Sequence, residues 1–217
     1  HTILSGTSIT LESGTEPMAI NPSPVIVLVA TQMGENIGMC ARAMLNCGLS
    51  RLRLVAPRDG WPNNAATATA ADADVVLENA EIYESVAEAV ADCQRVFATT
   101  ARERATNLPV VSAEKSALEI SSVSSAGQQS AILFGPEASG LDADSLLSVD
   151  TLIHIGTNPE FSSLNLAQAV LLVGWEWRKS QGKTNPAFQE KEPAGKGDLD
   201  KFLDRLDSEL EKQDFFL

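Results

Sequence analysis

Apolar runs that alternate with segments of helical periodicity restrict the fold of this chain more than any other feature of its sequence. The run at residues 25–30 is apolar throughout and rich in β-branched residues, which predicts a strand buried on both faces. Helical spacing follows from about Asn36, and Gly48 is placed to end that helix. Because this strand-then-helix pattern continues to about Ser180, we predict an α/β fold with a mostly parallel sheet.

About six strands are expected in this sheet. The predicted strands are residues 25–30, 51–55, 75–77, 95–98, 131–134 and 152–155. The predicted helices are residues 36–47, 65–71, 86–92, 112–120 and 142–147, and a long last helix that begins near Leu164. Ser162 and Ser163 stand where the N-cap of that last helix is expected. The stretch 121–129 is rich in Ser and Gly and is predicted to be a loop.

The 217 residues divide into one main domain and two appendages. We expect residues 1–20 to be a disordered or vector-derived segment, with the native chain starting at Met18. Residues 21–180 form the main domain, and residues 181–197 are a linker rich in Lys, Glu, Gly and Pro. Residues 198–217 predict a short amphipathic C-terminal helix, which is marginal by itself. It is expected to dock either on its own domain or on a partner or RNA surface.

Composition excludes several classes of function. No apolar run reaches the roughly 18 residues that cross a membrane, and no leader pattern is seen. Three cysteines without CxxC spacing predict reduced thiols in a cytoplasmic protein, and two histidines predict no metal site. The net charge of −13 argues against a protein that coats nucleic acid. A local basic surface stays open in two windows poor in acids, which contain Arg42, Arg51, Arg53, Arg58, Arg102 and Arg104.

The segment FGPEASGL at 134–141 is a candidate ligand loop, because it directly follows a buried strand. Gly135 and Gly140 permit a close approach of backbone, and Glu137 stands at a strand's carboxyl end, where α/β sheets bind ligands. Glu137 as a cap of the next helix is the structural alternative. The chain has neither a Walker loop nor a G-x-G-x-x-G after its first strand, so a nucleoside triphosphate or Rossmann dinucleotide site is not expected.

Three segments in order carry a family resemblance: NIG and ARA within 36–43, FGPEASGL at 134–141, and SSLNLAQA at 162–169. Their order and spacing resemble the SpoU (TrmH) branch of the SPOUT RNA methyltransferases. The loop TTARER at 99–104 makes the chain most similar to the TrmJ-type tRNA ribose 2′-O-methyltransferases. The resemblance runs from about Val25 to Arg178, and it departs at Gly156, where many members carry proline.

This resemblance implies a C-terminal trefoil knot, a homodimer whose active site uses both chains, and S-adenosylmethionine as cofactor. The implied cofactor-binding residues are Thr99, Thr100, Ala101, Gly135, Ile155, Ser162, Ser163 and Leu164. The implied catalytic residues are Asn36, Arg42, Glu137, Ser163 and Asn165. The expected RNA-binding residues are Arg42, Arg58, Arg102 and Arg104.

For methyl transfer to a ribose hydroxyl, the protein must align the methyl donor with the hydroxyl and provide a route by which the hydroxyl proton leaves. Arg42 is expected to hold the 3′ phosphate through its fork of donors, with Asn36 and Asn165 positioning Arg42 and the loop. The expected substrate is tRNA, with the anticodon loop as the target region. The alternatives are the same chemistry on ribosomal RNA, a non-catalytic homologue that binds RNA or cofactor, and an ordinary α/β ligand-binding protein.

Overall fold

Seven parallel strands form one sheet in the computed structural model, which describes residues 22–100, 107–182 and 195–213. The strands are β1 (Val25–Val29), β2 (Leu52–Val55), β3 (Glu81–Tyr83), β4 (Arg95–Thr100), β5 (Val110–Ser112), β6 (Ser130–Phe134) and β7 (Thr151–His154). Their order across the sheet is β3-β2-β1-β6-β4-β7-β5, and each neighbouring pair is parallel. The carboxyl ends of all the strands therefore meet at one edge of the sheet.

Helices cover both faces of this sheet. Those of the described residues up to 182 are α1 (Gly34–Asn46), α2 (Asn64–Ala70), α3 (Asp74–Glu78), α4 (Val86–Ala89), α5 (Ala113–Ser125), α6 (Ala143–Leu146) and α7 (Leu166–Ser180). One further helix, α8 (Lys196–Lys212), belongs to a separate unit of the chain. Ile26 and Leu28 of β1 belong to one buried apolar cluster, whereas Val25, Val27 and Val29 belong to another. Since successive strand residues point to opposite faces, the predicted two-sided burial of the first strand is confirmed.

Helix α1 is held tightly by α2 on one side and by α7 on another. A side chain at Gly38 would collide with the carbonyl oxygen of Ala66 in α2. A Cβ at Gly174 of α7 would lie 3.1 Å from the sulfur of Cys47, the residue that ends α1. Cys47 and Cys40 are buried, so they pack as small apolar side chains, and burial raises the pKa of the Cys47 thiol. These contacts fix α1 relative to α2 and to the middle of the long helix α7.

Two predicted elements are wrong, and each error involves a short segment. Residues 75–77 form part of helix α3 instead of a strand, and the strand follows at Glu81–Tyr83. Such a short apolar run fits either structure, and here Val76 and Leu77 are buried as helical neighbours. The predicted loop at 121–129 is also wrong in its first half, because α5 continues to Ser125. The hydroxyl of Ser125 donates to the carbonyl oxygen of Ser121, which satisfies a serine inside the helix.

Strand β5 was not expected, and it raises the number of strands from about six to seven in the described residues. It contains three residues that directly follow Pro109, and it lies at the edge of the sheet beside β7. Periodicity cannot reveal an element this short. By contrast, Ser112 caps α5 as expected, since its hydroxyl accepts a hydrogen bond from the Lys115 backbone N–H at 3.2 Å.

Arg53, which the sequence analysis groups with a possible basic surface, is a buried cation paired with two half-exposed carboxylates. Its side chain is 6% exposed, and its guanidinium donates to Asp92 at 2.6 and 2.8 Å and to Glu81 at 3.1 Å. The Arg53 guanidinium holds the pKa of the Asp92 carboxyl down at about 2. Arg51 donates to the side-chain oxygen of Gln129. Arg53 therefore serves the sheet and is not free to bind a phosphate, and Arg51 is tied to the residue before β6.

A second unit, residues 184–217, contains α8, which begins two residues before the predicted helix. Its apolar residues Leu199, Phe202, Leu203 and Leu206 are exposed. The predicted N-terminal segment and most of the predicted linker lie outside the described residues. Within the described part of the chain, the helices are too short or too polar to cross a membrane.

Candidate active site

A cavity of about 290 Å³ lies at the carboxyl edge of the sheet, where β4, β6 and β7 end. Its lining includes the strand ends Thr99, Thr100, Phe134 and Ile155, the loop residues 135–141, the residues Ser162, Ser163 and Leu164, and the start of α7 at Leu166 and Ala169. These three strands are neighbours in the sheet although they are distant in sequence. Parallel pairing thus gathers two of the predicted motif segments around one cavity, as expected for the carboxyl edge of an α/β sheet.

The loop at 135–141 closes on itself through its two glycines. A Cβ at Gly135 would lie 2.5 Å from the backbone nitrogen of Leu141 and 2.7 Å from the carbonyl carbon of Gly140. Gly140 has φ +68°, a conformation that favours glycine, and its N–H donates to the carbonyl oxygen of Pro136 at 2.8 Å. The expected close backbone approach at Gly135 is therefore present, and a side chain there would open the loop.

The turn between β7 and α7 ends on a capping box. The side-chain oxygen of Asn165 accepts from the Ala167 N–H at 2.9 Å, and the Gln168 side chain accepts from the Asn165 N–H at 3.1 Å. The prediction that Ser162 or Ser163 caps this helix is wrong, because Asn165 does so. The two serines line the cavity instead. As a cap, Asn165 fixes the point at which the cavity loop joins α7.

Asn36 and Glu137 meet at the side of the cavity next to β1. The Asn36 side-chain amide donates to Glu137 Oε1 at 2.5 Å, and the Gln32 N–H lies 3.5 Å from Glu137 Oε2. Asn36 is only 8% exposed. Gln32 lies in the loop after β1, Asn36 in the first turn of α1, and Glu137 in the loop after β6. Strands β1 and β6 are adjacent. Glu137 is the one ionisable side chain among the described residues that line the cavity.

The alternative reading of Glu137 as a helix cap is excluded by the next helix. The cap of α6 is Asp142, whose carboxylate accepts a hydrogen bond from the Ser145 N–H at 2.8 Å. Glu137 lies in the turn before it and bonds to Asn36 instead. Its carboxylate is therefore held at the cavity by the first motif segment, which lies 101 residues earlier in the chain.

Arg42 does not join Asn36 and Glu137 within one chain. Arg42 follows Asn36 by six positions in α1. At about 100° per residue, the two side chains therefore point about 120° apart around the helix axis. Arg42 is exposed, whereas Asn36 is buried against Glu137. The expectation that Asn36 positions Arg42 is therefore not met in the single chain.

Arg58 lies close to the first loop. Its N–H donates to the carbonyl oxygen of Thr31 at 3.0 Å, and its side chain is exposed. The next residue, Asp59, accepts a hydrogen bond from the Gly34 N–H at the start of α1, at 3.2 Å. Sequence reasoning missed Asp59 and Gln32, since neither residue belongs to a motif. The predicted site residues Ala101, Arg102 and Arg104 lie outside the described residues.

Apolar walls were the other part of the site that sequence reasoning missed. Leu141, Leu146, Leu152 and Leu166 line the cavity. Leu141 and Leu166 belong to motif segments. Leu146 and Leu152 do not, and no sequence signal separates them from core residues. In the residues described by the structure, His, Cys, Asp and Glu form no group of three that could hold a metal ion.

Comparison with known proteins points in one direction. Residues 23–175 match the family described as the SpoU rRNA Methylase family. The tRNA (cytidine/uridine-2′-O-)-methyltransferase TrmJ of Klebsiella pneumoniae is 38% identical over 193 residues, which are 85% of this chain and 78% of that protein.

Two solved structures are similar along most of the chain. The crystal structure of TrmJ from Z. mobilis superposes with a TM-score of 0.69 at 47% identity, covering 90% of this chain and 83% of that one. A probable methylase family protein from Haemophilus influenzae gives a TM-score of 0.70 at 34% identity, covering 92% and 83%. The region matched by the family contains every described residue that lines the cavity.

Proposed function

We propose that this chain, which belongs to the SpoU rRNA methylase family, transfers a methyl group from S-adenosylmethionine to a ribose 2′ hydroxyl of tRNA. The resemblance found in the sequence motifs is thereby confirmed at the level of the family. One observation carries the proposal. The contact between Asn36 and Glu137 joins the first two motif segments at a cavity that the third segment closes from the other side.

The residues of this cavity fit S-adenosylmethionine. Gly135 leaves its backbone open, and the hydroxyls of Ser162 and Ser163 stand beside apolar walls from Leu141 and Leu152, a combination suited to a molecule with an adenine ring and polar ends. When bound, the cofactor supplies an electrophilic methyl group. Thr99, Thr100, Ile155 and Leu164 complete the proposed binding set, together with Ala101 outside the described residues.

Glu137, held in place by Asn36, is proposed to act on the ribose hydroxyl that receives the methyl group. Asn36 fixes one carboxylate oxygen of Glu137, and Glu137 is the described cavity residue able to accept a hydrogen bond as a carboxylate. We assign to Glu137 the orientation of the ribose hydroxyl, and to Ser163 a supporting hydrogen bond. Asn165 acts indirectly, by capping α7 and holding the serine loop in place.

Arg42 is proposed to serve the cavity of a second copy of the chain. It points away from Asn36, so its guanidinium is available to another molecule. Helix α7 supports such a homodimer, because it buries Val170 and Val173 yet exposes the apolar residues Leu171, Leu172 and Trp175. A helix that is apolar on two faces usually has a second packing partner. In the cavity of the second copy, the forked guanidinium of Arg42 would hold an RNA phosphate. A trefoil knot around the cofactor loop is part of the same proposal.

A tRNA substrate follows from the names of similar proteins, and it implies a cytoplasmic enzyme. Ribosomal RNA is the second candidate, because the matched family is described as one of rRNA methylases. Arg58 is exposed beside the first loop and is proposed to contact RNA. Arg102 and Arg104, outside the described residues, are proposed to do the same. The overall charge of −13 would suppress binding away from this surface.

The test is transfer of labelled methyl from S-adenosylmethionine to tRNA and, in parallel, to ribosomal RNA. The wild-type chain is compared with Arg42→Ala and with Arg42→Lys, which keeps the charge and removes the fork. We expect label in tRNA, a loss of about tenfold or more for Arg42→Ala, and a smaller loss for Arg42→Lys.

The remaining outcomes separate the alternatives. Label in ribosomal RNA alone moves the substrate and keeps the chemistry. No label, with S-adenosylmethionine still raising the melting temperature, indicates a binding homologue. No effect of S-adenosylmethionine on the melting temperature contradicts the cofactor assignment, because saturation at about 100 times Kd adds about 2.7 kcal/mol of stability.

A further inference from the structure

Phe161 is an exposed aromatic residue beside the cavity. It ends a single 3-10 turn, Pro159–Phe161, and 77% of its surface is exposed. The three residues that follow it, Ser162, Ser163 and Leu164, all line the cavity. An isolated exposed apolar side chain is ordinary on a protein surface, so its surroundings have to decide whether this one binds anything.

Hydrogen bonds hold the turn that presents Phe161. The Phe161 N–H donates to the Asn158 carbonyl oxygen at 2.9 Å, and the Asn158 side chain accepts from the Glu160 N–H at 3.0 Å. The Thr157 hydroxyl donates to the Ser162 carbonyl oxygen at 3.3 Å. Pro159 restricts φ at the start of the turn. The backbone beneath the ring is therefore ordered before any ligand arrives, which reduces the entropy lost on binding.

The charge of the loop around Phe161 favours an uncharged base of an RNA over its phosphates. Glu160 precedes Phe161 and is exposed, and the chain from Ile155 to Asn165 contains no Lys or Arg. Phosphates are repelled by such a loop, whereas an uncharged base is not. Bases of single-stranded RNA loops can be splayed out and stacked on aromatic side chains. Stacking accepts any base, because every base has a π-face.

We propose that Phe161 stacks on a base of the RNA, at or next to the methylated nucleotide, while the ribose of that nucleotide faces the cavity. This inference rests on the proposed function, and it adds a residue that orients the substrate at a known position in the fold. Phe161 contacts the base, Arg42 and Arg58 contact phosphates, and Glu137 contacts the hydroxyl.

The first test compares the wild-type chain with Phe161→Ala and with Phe161→Tyr, which keeps the ring. Leu118→Ala is the matched control, because Leu118 is also strongly exposed but lies on α5. We expect Phe161→Ala to raise the Kd and KM for tRNA by about tenfold or more, and the other two variants to change them by less than about twofold. Calorimetry should show the same S-adenosylmethionine affinity in all four proteins.

Two results would overturn this assignment directly. A loss of S-adenosylmethionine affinity in Phe161→Ala, with tRNA affinity unchanged, would make the ring part of the cofactor site. A change of oligomeric state in sedimentation would show that the ring packs against a second copy. In either case the ring is not a base platform.

The second test removes bases instead of the ring. The methylated nucleotide is mapped with the wild-type chain, and hairpin RNAs of that loop are made with one abasic nucleotide at the mapped position or beside it. Phe161→Ala should weaken binding of the intact hairpin by about tenfold, and of one abasic hairpin by less than about twofold. An equal loss on every abasic hairpin refutes stacking.

The two proposals fail in different ways. If the wild-type chain methylates tRNA and Phe161→Ala binds it normally, the stacking inference fails and the proposed function stands. If the wild-type chain neither binds nor methylates RNA, both fail.

Discussion

Replacing Asn36 by aspartate would set two carboxylates against each other at the edge of the cavity. Asn36 donates to Glu137 Oε1 at 2.5 Å and is 8% exposed, so the new carboxylate cannot turn into solvent. At a separation of about 4 Å and an effective dielectric constant of about 20, the repulsion is about 4 kcal/mol. The pair can avoid this repulsion by binding one proton. Protonating a carboxyl whose pKa is near 4 in the unfolded chain costs about 4 kcal/mol at pH 7, so this amount limits the loss of stability. We expect the variant to be less stable by about 3–4 kcal/mol at pH 7.

The sign of the pH dependence follows from that proton. The folded variant holds it on the carboxyl pair at pH 7, whereas the unfolded chain does not. Its free energy of unfolding therefore falls by about 1.4 kcal/mol for each pH unit between about pH 5 and 7. As the pH is lowered from 7 to 5, the difference in free energy of unfolding between the wild-type chain and the variant therefore shrinks to about 1 kcal/mol. The carboxyl introduced at position 36, once protonated, would then donate the hydrogen bond that the Asn36 amide donates now.

Urea unfolding at pH 5, 6 and 7, followed by tryptophan fluorescence, measures this effect. Asn46→Asp is the matched control, because Asn46 is exposed in the last turn of the same helix. The double variant Asn36→Asp with Glu137→Gln restores one donor and one acceptor, and should recover most of the stability. A deficit below about 1 kcal/mol at pH 7, or one of equal size at pH 5 and 7, would refute the contact between Asn36 and Glu137.

Three further outcomes are expected. Gly135→Ala should weaken S-adenosylmethionine binding in calorimetry by about tenfold or more, because its Cβ meets backbone, whereas Gly156→Ala has open space and should bind normally; equal affinities would contradict the closed loop. Asp92→Asn removes a carboxylate whose pKa is held at about 2 by Arg53, so it should cost at most about 1 kcal/mol at pH 7 in urea unfolding, and the difference should vanish as the pH falls from about 4 to 2. Trp175→Glu should give monomers in sedimentation velocity, and a dimer of unchanged affinity would exclude the exposed face of α7 as the interface.

Local patterns were read correctly where one physical cause dominates. The apolar run of β1 can only be a strand buried on both faces, and Ser112 has the chemistry of a helix cap. The motif segments gave the family, because loops that approach a ligand tolerate few residue types. The errors came from segments of a few residues, such as the helix at 74–78 and the strand at 110–112, where tertiary packing outweighs local preference.

Side chains near the motifs show a second kind of limit. Ser162 and Ser163 were the expected caps of the last helix, but the capping box with Gln168 places the cap at Asn165. Arg53 has the same charge as Arg58, yet one is buried against Asp92 and the other is exposed. A sequence records that both are arginines. It does not record which of them a neighbouring strand or helix will cover.

By itself, the sequence determined the class of fold and the order of most elements, because periodicity and turn chemistry are local properties. Its motif segments also indicated the family. The tertiary structure alone decided that β1, β6, β4 and β7 lie side by side. That order brings Asn36 to Glu137 across 101 residues. The physical reason is that strand neighbours are chosen by burying both faces of the whole sheet at once. No window of the chain contains that choice.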